Sequence, residues 1–249
     1  MIKSLPGFEN AKIAKYAYAI EYDAIDPLQL YPTLESKLVD GLFFGGQVNG
    51  TSGYEEAAAQ GLIAGINASC KVRNMEQLVM RRDESYIGVL IDDLVTKGVI
   101  DPYRMLTSRA EYRLLLRHDN ADQRVLEYGY RVGLIKEERY QQYLNKLKLI
   151  EQEKERLVNL RITTKQENNN YLMSINSPIL HEGISAKELM KRPEVHYDDI
   201  VKMCNLDNPL VYPNSEQIDI EIKYQGYIDK AYKEAKRVLK LETVAIPRD

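Results

Sequence analysis

The stretch Gly41-Leu42-Phe43-Phe44-Gly45-Gly46-Gln47-Val48-Asn49-Gly50-Thr51-Ser52-Gly53 constrains this chain more than any other. Leu42 to Phe44 is a short apolar run that stops at paired glycines, and the pattern reads as strand, glycine-rich turn, then helix. Ser52 followed by Glu55 has the spacing of a capping box, which places the helix start near Gly53. The unpaired N–H groups of a first helical turn, with the positive end of the dipole, then face the turn and suit an anionic or carbonyl-bearing ligand. Ala57, Gly61, Ala64, Gly65 and Ala68 recur every three or four residues, giving a nearly side-chain-free face for close packing on a sheet. A bland connection is the competing reading; the repeated glycines between Gly41 and Gly53 favour a ligand.

From Met1 to about Cys70 the pattern is α/β. Tyr16 to Tyr22 favours a strand by composition, and Asp26-Pro27 and Tyr31-Pro32 break it. A doubly wound cofactor domain needs a parallel sheet covered on both faces, with a phosphate-binding turn after its first strand. No G-x-G-x-x-G occurs, because Gly41, Gly45, Gly46, Gly50 and Gly53 have the wrong spacing, so the expectation is the end of such a fold only. A half-domain leaves a sheet edge and apolar surface uncovered. Residues 1–70 are therefore expected to be partly disordered, aggregation-prone or completed by another chain.

Ile87, Leu90, Ile91 and Leu94 form an apolar stripe that predicts a helix over Tyr86 to Lys97, ending at Gly98. Asp92 and Asp93 point different ways around it and read as solvated or N–H-bonding carboxylates, not an acid/base pair. Tyr112 to Arg117 alternates weakly, as a short strand does, and Asp119 or Asn120 caps a helix that includes Ala121 to Arg131. Beyond Gly133 the chain reads as mainly helical. Tyr140, Leu144, Leu147, Ile150, Leu157 and Leu160 mark one long amphipathic helix, and Asn168 to Asn170 an exposed loop. Ser185 to Lys191 and Tyr197 to Cys204 are short helices set apart by Arg192-Pro193. After Pro213, Ile218, Ile222, Ile228, Ala231, Ala235 and Val238 mark a last long helix, expected to pack on the first.

Composition bounds the chemistry. The 249 residues are 44% hydrophobic, enough for a real core, and carry a formal net charge of −3, so no global positive field draws the chain onto nucleic acid. Cys70 and Cys204 give no disulfide framework and suit a reducing cytoplasm. No apolar run approaches the ~20 residues needed to cross a bilayer, and no signal peptide is evident, so no membrane role is expected. His118, His181 and His196 lack metal-ligand spacing, no serine sits in a nucleophile elbow and no Walker A sequence occurs.

Against that acidic background, Arg104, Arg109, Arg113, Arg117, Arg124 and Arg131 form a local basic cluster. Guanidinium forks fit phosphate oxygens, and Tyr103 and Tyr112 are placed to stack on a splayed base, the usual grip on single-stranded RNA loops. Glu111, Asp119 and Asp122 support the alternative of an internal ion-pair network.

Two long segments carry a resemblance. Gly41 to Ala68 is similar to a signature of the MnmG (GidA) family, and so is Pro102-Tyr103-Arg104-Met105-Leu106-Thr107-Ser108-Arg109-Ala110-Glu111-Tyr112-Arg113-Leu114-Leu115-Leu116-Arg117-His118-Asp119-Asn120-Ala121-Asp122-Gln123-Arg124. Weaker similarity runs through Leu5-Pro6-Gly7, Tyr18-Ala19-Ile20-Glu21-Tyr22-Asp23 and Lys223-Tyr224-Gln225-Gly226-Tyr227-Ile228. The resemblance implies an α/β segment of a Rossmann-like FAD-binding domain (residues 1–70), a connecting arginine-rich segment (71–133) and a mainly α-helical domain (134–249). It further implies a flavoprotein that uses FAD, NADH and methylenetetrahydrofolate to place a carboxymethylaminomethyl or aminomethyl group on C5 of the wobble uridine of tRNA. That enzyme works as a cytoplasmic homodimer with the GTPase MnmE. Gln47 is then expected to bind FAD with Gly46, Asn49, Thr51 and Gly53, with Tyr54 and Glu55 as weaker candidates. Arg104, Arg109, Arg113, Arg117 and Arg124 are expected to contact RNA, Arg104 and Arg113 foremost. The resemblance starts after the family's glycine fingerprint and stops, after Pro247-Arg248-Asp249, before its terminal helices. The family's catalytic cysteines have no counterpart here, so catalytic residues are unassigned and the chain alone is expected to be nearly inactive. A non-catalytic RNA-binding or dimerisation module, or a piece of a split gene, is the alternative.

Overall fold

Helical periodicity is realised most fully beyond Gly133. The computed structural model describes residues 1–18, 21–242 and 244. Its helices are α1 (Tyr54–Val72), α2 (Tyr86–Asp92), α3 (Ala121–Arg131), α4 (Glu137–Asn159), α5 (Gln166–Ser174), α6 (Ala186–Leu189), α7 (Tyr197–Cys204) and α8 (Asn214–Glu242). Strands β1 (Arg161–Ile162) and β2 (Ile184–Ser185) pair antiparallel, with Ile162 opposite Ile184.

Helices α4 and α8 pack together, and the spacing of their apolar residues explains why. Ile150 and Leu157 of α4 and Ile218 and Ile222 of α8 fall on facing stripes and close over Leu172, Leu189, Tyr197 and Ile200. Glu137 and Glu138 in the first turn of α4 and Arg156 in its last suit the helix dipole. Tyr197 is fully buried, and its hydroxyl donates to Glu153 Oε1 (2.8 Å) while accepting from Leu210 N–H (3.0 Å). Asn168 to Asn170 lies inside α5, not in a loop. The Asn169 amide accepts from Leu180 N–H (2.8 Å) and donates to Leu180 O (3.3 Å), satisfying the returning chain while Leu172 enters the core.

A second core gathers Leu30, Leu34, Ile63, Leu78, Leu90, Ile91, Leu94 and Tyr103, and so draws on both sides of residue 70. Before α1 the backbone is irregular. Tyr16 to Tyr18, Glu21 and Tyr22 form no strand, and Ala19 and Ile20 of that expected strand lie outside the described residues, as does 245–249. Phe43 makes one isolated antiparallel bridge to Glu35, and Thr51 one parallel bridge to Tyr103. The glycine turn and its helix are present; among the described residues no Rossmann-like sheet forms, because a parallel strand persists only between neighbours that continue the ladder. Phe8, Ile13, Tyr16, Tyr18, Leu38 and Val39 are exposed in this region. Tyr112 to Arg117 also differs from the strand expected of it: Leu115 and Leu116 N–H both donate to Tyr112 O (2.8 and 3.1 Å), curling the segment into turns.

The stripe of Ile87, Leu90, Ile91 and Leu94 does form a helix, as α2 followed by a π-helical turn over Asp93–Lys97 that stops at Gly98. Ser85 caps it by accepting from Gly88 N–H (2.8 Å).

Candidate cofactor turn and arginine face

Gly46 (φ 93°) and Gly50 (φ 79°) flank a single 3-10 turn, Gln47–Asn49, in backbone conformations that side chains rarely adopt. Behind this turn sits Gln60 of α1. Its Oε1 accepts from Gly46 N–H (3.3 Å) and Asn49 Nδ2 (2.8 Å), and its Nε2 donates to Thr51 Oγ1 (3.0 Å) and Glu56 O (3.0 Å). Thr51 Oγ1 in turn donates to Gly46 O (3.2 Å). Asn49, Thr51 and Gln60 are buried, so they hold the turn from inside; Gln47 and Tyr54 face solvent, Tyr54 at 94% exposure. Asn49 Oδ1 is a buried acceptor without a partner among the described residues.

Helix α1 begins at Tyr54 with Gly53 as its N-cap, near where it was expected, but not through a Ser52–Glu55 box: no side chain caps its N-terminus. Instead Glu56 folds back over Gly53, so closely that a Cβ on Gly53 would overlap its carboxylate. Glu56 Oε1 accepts from Met105 N–H (2.7 Å) and lies 3.5 Å from Arg104 Nε. The positive end of α1 thus meets the protein's own carboxylate where an anionic ligand was expected. The buried face also differs from the small-residue face. Glu56, Gln60, Ile63, Ala64, Asn67 and Cys70 point inward, so of the small residues Ala64 is buried while Gly61 and Gly65 are exposed. Asn67 explains part of this, accepting from Leu78 N–H (2.6 Å) and donating to Leu78 O (2.9 Å) and Thr33 O (3.1 Å). Polar residues in helical phase with Ile63 were the sequence signal for Glu56 and Gln60.

The two signature segments meet across one backbone pairing. Tyr103 N–H donates to Gly50 O (2.8 Å), and Ser52 N–H donates to Tyr103 O (3.2 Å). Below it, the Tyr103 hydroxyl donates to Asp93 Oδ2 (2.8 Å), while Asp93 Oδ1 receives Arg82 Nη1 (2.7 Å) and Lys97 Nζ (2.6 Å). Asp93 is therefore a buried, fully used carboxylate and not a solvated one. Burial alone would raise its pKa, but the bonds from Lys97, Arg82 and Tyr103 outweigh it and hold the carboxyl below its usual range. Burial and Asp93 together push the Tyr103 hydroxyl well up. Arg82, unassigned by the sequence reading, also bonds Asp92 (2.9 Å), Glu111 (2.7 Å) and Arg109 O (3.2 Å). Only its adjacency to Arg81 and Asp83 marked it in the sequence.

The arginines divide in two. Arg117 makes a bidentate pair with Asp119 (2.9 and 3.0 Å) and donates to Leu114 O (2.8 Å). Arg124 donates to Asn120 Oδ1 (3.0 Å), Arg117 O (2.8 Å) and Glu84 O, and burial lowers its pKa. These two follow the internal-network reading, with Glu111 and Asp122 engaged by Arg82 and Lys146. Asn120 is diverted with them and does not cap α3 through its side chain. Arg104, Arg109 and Arg113 are exposed, and Arg113 has no polar partner among the described residues. Arg109 Nε donates to Arg104 O (2.9 Å), and its guanidinium lies 4.4 Å from the Tyr103 ring centroid. Tyr103 is thereby covered, and the stacking role expected of it falls away.

The family described as glucose inhibited division protein A matches residues 1–76, and the MnmG/GidA C-terminal helical domain of a tRNA modifying enzyme matches residues 137–232. Two tRNA uridine 5-carboxymethylaminomethyl modification enzymes, from Bacillus licheniformis and Acholeplasma laidlawii, are each 52% identical to the chain, over 99% and 100% of its length. The chain belongs to the MnmG/GidA family. It spans 39% and 40% of the length of those two relatives. The crystal structure of Aquifex aeolicus GidA superposes over the whole chain with a TM-score of 0.80 at 42% identity, covering 39% of that protein.

Among the family's groups, a flavin can be tested against the turn. The outward amide of Gln47, able to donate and accept, fits the polar edge of a flavin ring or its ribityl chain, whereas the Gly46 N–H and carbonyl are already bonded inside the turn. A phosphate does not fit at the α1 terminus, where Glu56 already lies. Among the described residues no helix is long and apolar enough to cross a membrane.

Proposed function

We propose that this chain supplies the flavin-edge turn and an RNA-facing arginine segment of a flavoprotein that adds a carboxymethylaminomethyl group to C5 of the wobble uridine of tRNA. In this reading the protein is cytoplasmic and dimeric, works with a GTPase partner, and uses FAD with NADH and methylenetetrahydrofolate as co-substrates. Gln47 and Tyr54 contact the flavin; Gly46, Asn49, Thr51 and Gly53 shape the turn behind them. Arg104, Arg109 and Arg113 meet RNA phosphates, while Arg117 and Arg124 brace that segment. The division into 1–70, 71–133 and 134–249 belongs to the same proposal. The observation that carries it is the pairing of Gly50–Ser52 with Tyr103, which sets the turn beside the exposed arginines. FAD, bound, supplies the redox chemistry; this chain's residues bind and orient.

Two titrations test the reading: FAD by flavin fluorescence, and a labelled RNA hairpin with a single-stranded loop by anisotropy. Gln47→Ala is expected to weaken FAD and leave RNA unchanged; Arg109→Ala and Arg113→Ala are expected to do the reverse. Variants that alter neither affinity would overturn it. NADH oxidation by the chain alone is expected to be near background. The Glu56 carboxylate at the α1 terminus favours one second reading, a non-catalytic RNA-binding or dimerisation module. Salt-dependent RNA binding by a chain that shows no FAD affinity would select it.

A further inference from the structure

Glu56 is 3% exposed, yet it belongs to neither the outward face of the turn nor the exposed arginines. Its contacts join the two. Oε1 accepts the Met105 N–H at 2.7 Å, and Oε2 is buried without a partner among the described residues. A buried carboxylate left half satisfied is retained at a cost, which directs attention to what its satisfied half does.

That half fixes one end of the strip Tyr103–Met105. The other end is fixed at Tyr103, by its backbone pairing with Gly50 and Ser52 and by its hydroxyl on Asp93. Arg104 stands between the two anchors. Its carbonyl accepts from Arg109 Nε (2.9 Å), so any shift of the Arg104–Met105 backbone displaces both guanidinium groups. The direct Arg104–Glu56 approach is longer, 3.5 Å, and Arg104 stays 56% exposed. The short backbone bond is therefore the main restraint, and the ion pair is secondary.

We propose that Glu56 is a positioning residue that sets Arg104 and Arg109 in register for RNA phosphates through its bond to the Met105 amide. The inference rests on the RNA-facing role of the arginines proposed above. Glycine at position 53 is part of the device, since a Cβ there would drive the carboxylate off the Met105 amide. Because the restraint needs an acceptor and not a charge, an amide in place of the carboxylate preserves it.

The experiment measures affinity of the 249-residue chain for a fluorescein-labelled RNA hairpin at fixed salt, with thermal melting to confirm folding. Arg104→Ala/Arg109→Ala is expected to weaken binding. Glu56→Ala is expected to weaken it about fivefold, the worth of one hydrogen bond. Glu56→Gln stays within about twofold of the parent chain, as a retained amide acceptor requires. Added to Arg104→Ala/Arg109→Ala, Glu56→Ala has no further effect. Gly53→Ala, which keeps the charge but displaces it, behaves like Glu56→Ala and serves if that variant does not fold; hydrogen exchange at the Met105 amide rises in both. Tighter binding by both Glu56→Ala and Glu56→Gln would show a charge that competes for Arg104, and would overturn positioning. Unchanged binding by a folded Glu56→Ala or Gly53→Ala overturns it as well. Unchanged binding by Arg104→Ala/Arg109→Ala removes the RNA reading itself, and the inference with it.

Discussion

The core between α4 and α8 and the core beneath the glycine turn are held by different forces. The first is built from Ile150, Leu157, Leu172, Ile200, Ile218 and Ile222, and beyond Asn120 only Glu153, Ser177 and Gln217 are buried polar residues among those described. The second depends on Asn49, Thr51, Glu56, Gln60, Asn67 and Asp93, each buried and each bonded across elements. Apolar burial is non-directional and tolerates a change of shape; a buried amide or carboxylate demands its partner at one distance and angle. The difference teaches where position is fixed by directional bonds: around the turn and the arginines, not in the helical scaffold.

That contrast can be broken at its strongest point first. Asp93→Ala leaves Arg82, Lys97 and the Tyr103 hydroxyl without their shared acceptor and is expected to cost about 3–5 kcal/mol in urea denaturation. A loss below about 1 kcal/mol would mean the network is dispensable. Gln60→Met, nearly isosteric, is expected to cost about 3 kcal/mol, because Gly46 N–H and the Asn49 amide lose their acceptor. The matching change across the contrast, Leu157→Met, is expected to cost under about 1.5 kcal/mol; equal costs at the two sites would erase the distinction.

Acid separates the two regions more gently. The folded pKa of Asp93 lies below the unfolded value of about 3.9, so its stabilisation is present above that pH and lost as pH falls through the folded value. Asp219 beside α7 is shifted the other way: burial raises it, and the Tyr197 N–H, Lys223 and His196 offset this only in part. Its contribution is fully present below about pH 3.9 and lost as pH rises through the raised folded value. Stability measured against pH should lose part of its fall below about pH 3.9 in Asp93→Asn, and part of its decline above about pH 3.9 in Asp219→Asn. The same slopes in parent and variants would contradict the assignment. The smallest effect is expected at Arg113→Ala, which should leave stability within about 0.5 kcal/mol while lowering the salt slope of RNA binding by about one.

Much of the helical half was legible in the sequence. Leu144 to Leu157 and Ile218 to Val238 carry their period whatever surrounds them, and α2, α4 and α8 appear where such a period put them, α3 and α7 where caps and breakers did. Strands were not legible. Tyr16 to Tyr22 and Leu42 to Phe44 have the composition of strands, but pairing partners are a property of the whole sheet and not of the segment. Asn168 to Asn170 misled because asparagine suits both loops and side-chain bonds to a returning backbone, and only the position of Leu180 decides between them. At the site, the glycine turn and the arginines were both readable from their local density. Which arginines stay exposed was not, since Asp119 and Glu84 become partners only after the segment has curled.

By itself the sequence determined the helices other than α5, the position of the glycine turn, the start of α1 and the family to which the chain belongs, because each is written in local spacing or in an unbroken run of residue types. Only the tertiary structure decided that the Glu56 carboxylate lies over Gly53 at the start of α1, where a ligand was expected, that Asp93 is buried, and that Tyr103 joins the turn to the arginines. Those outcomes depend on which distant groups come within about 3 Å of one another, and hydrogen-bond partners separated by tens of residues leave no periodic trace along the chain.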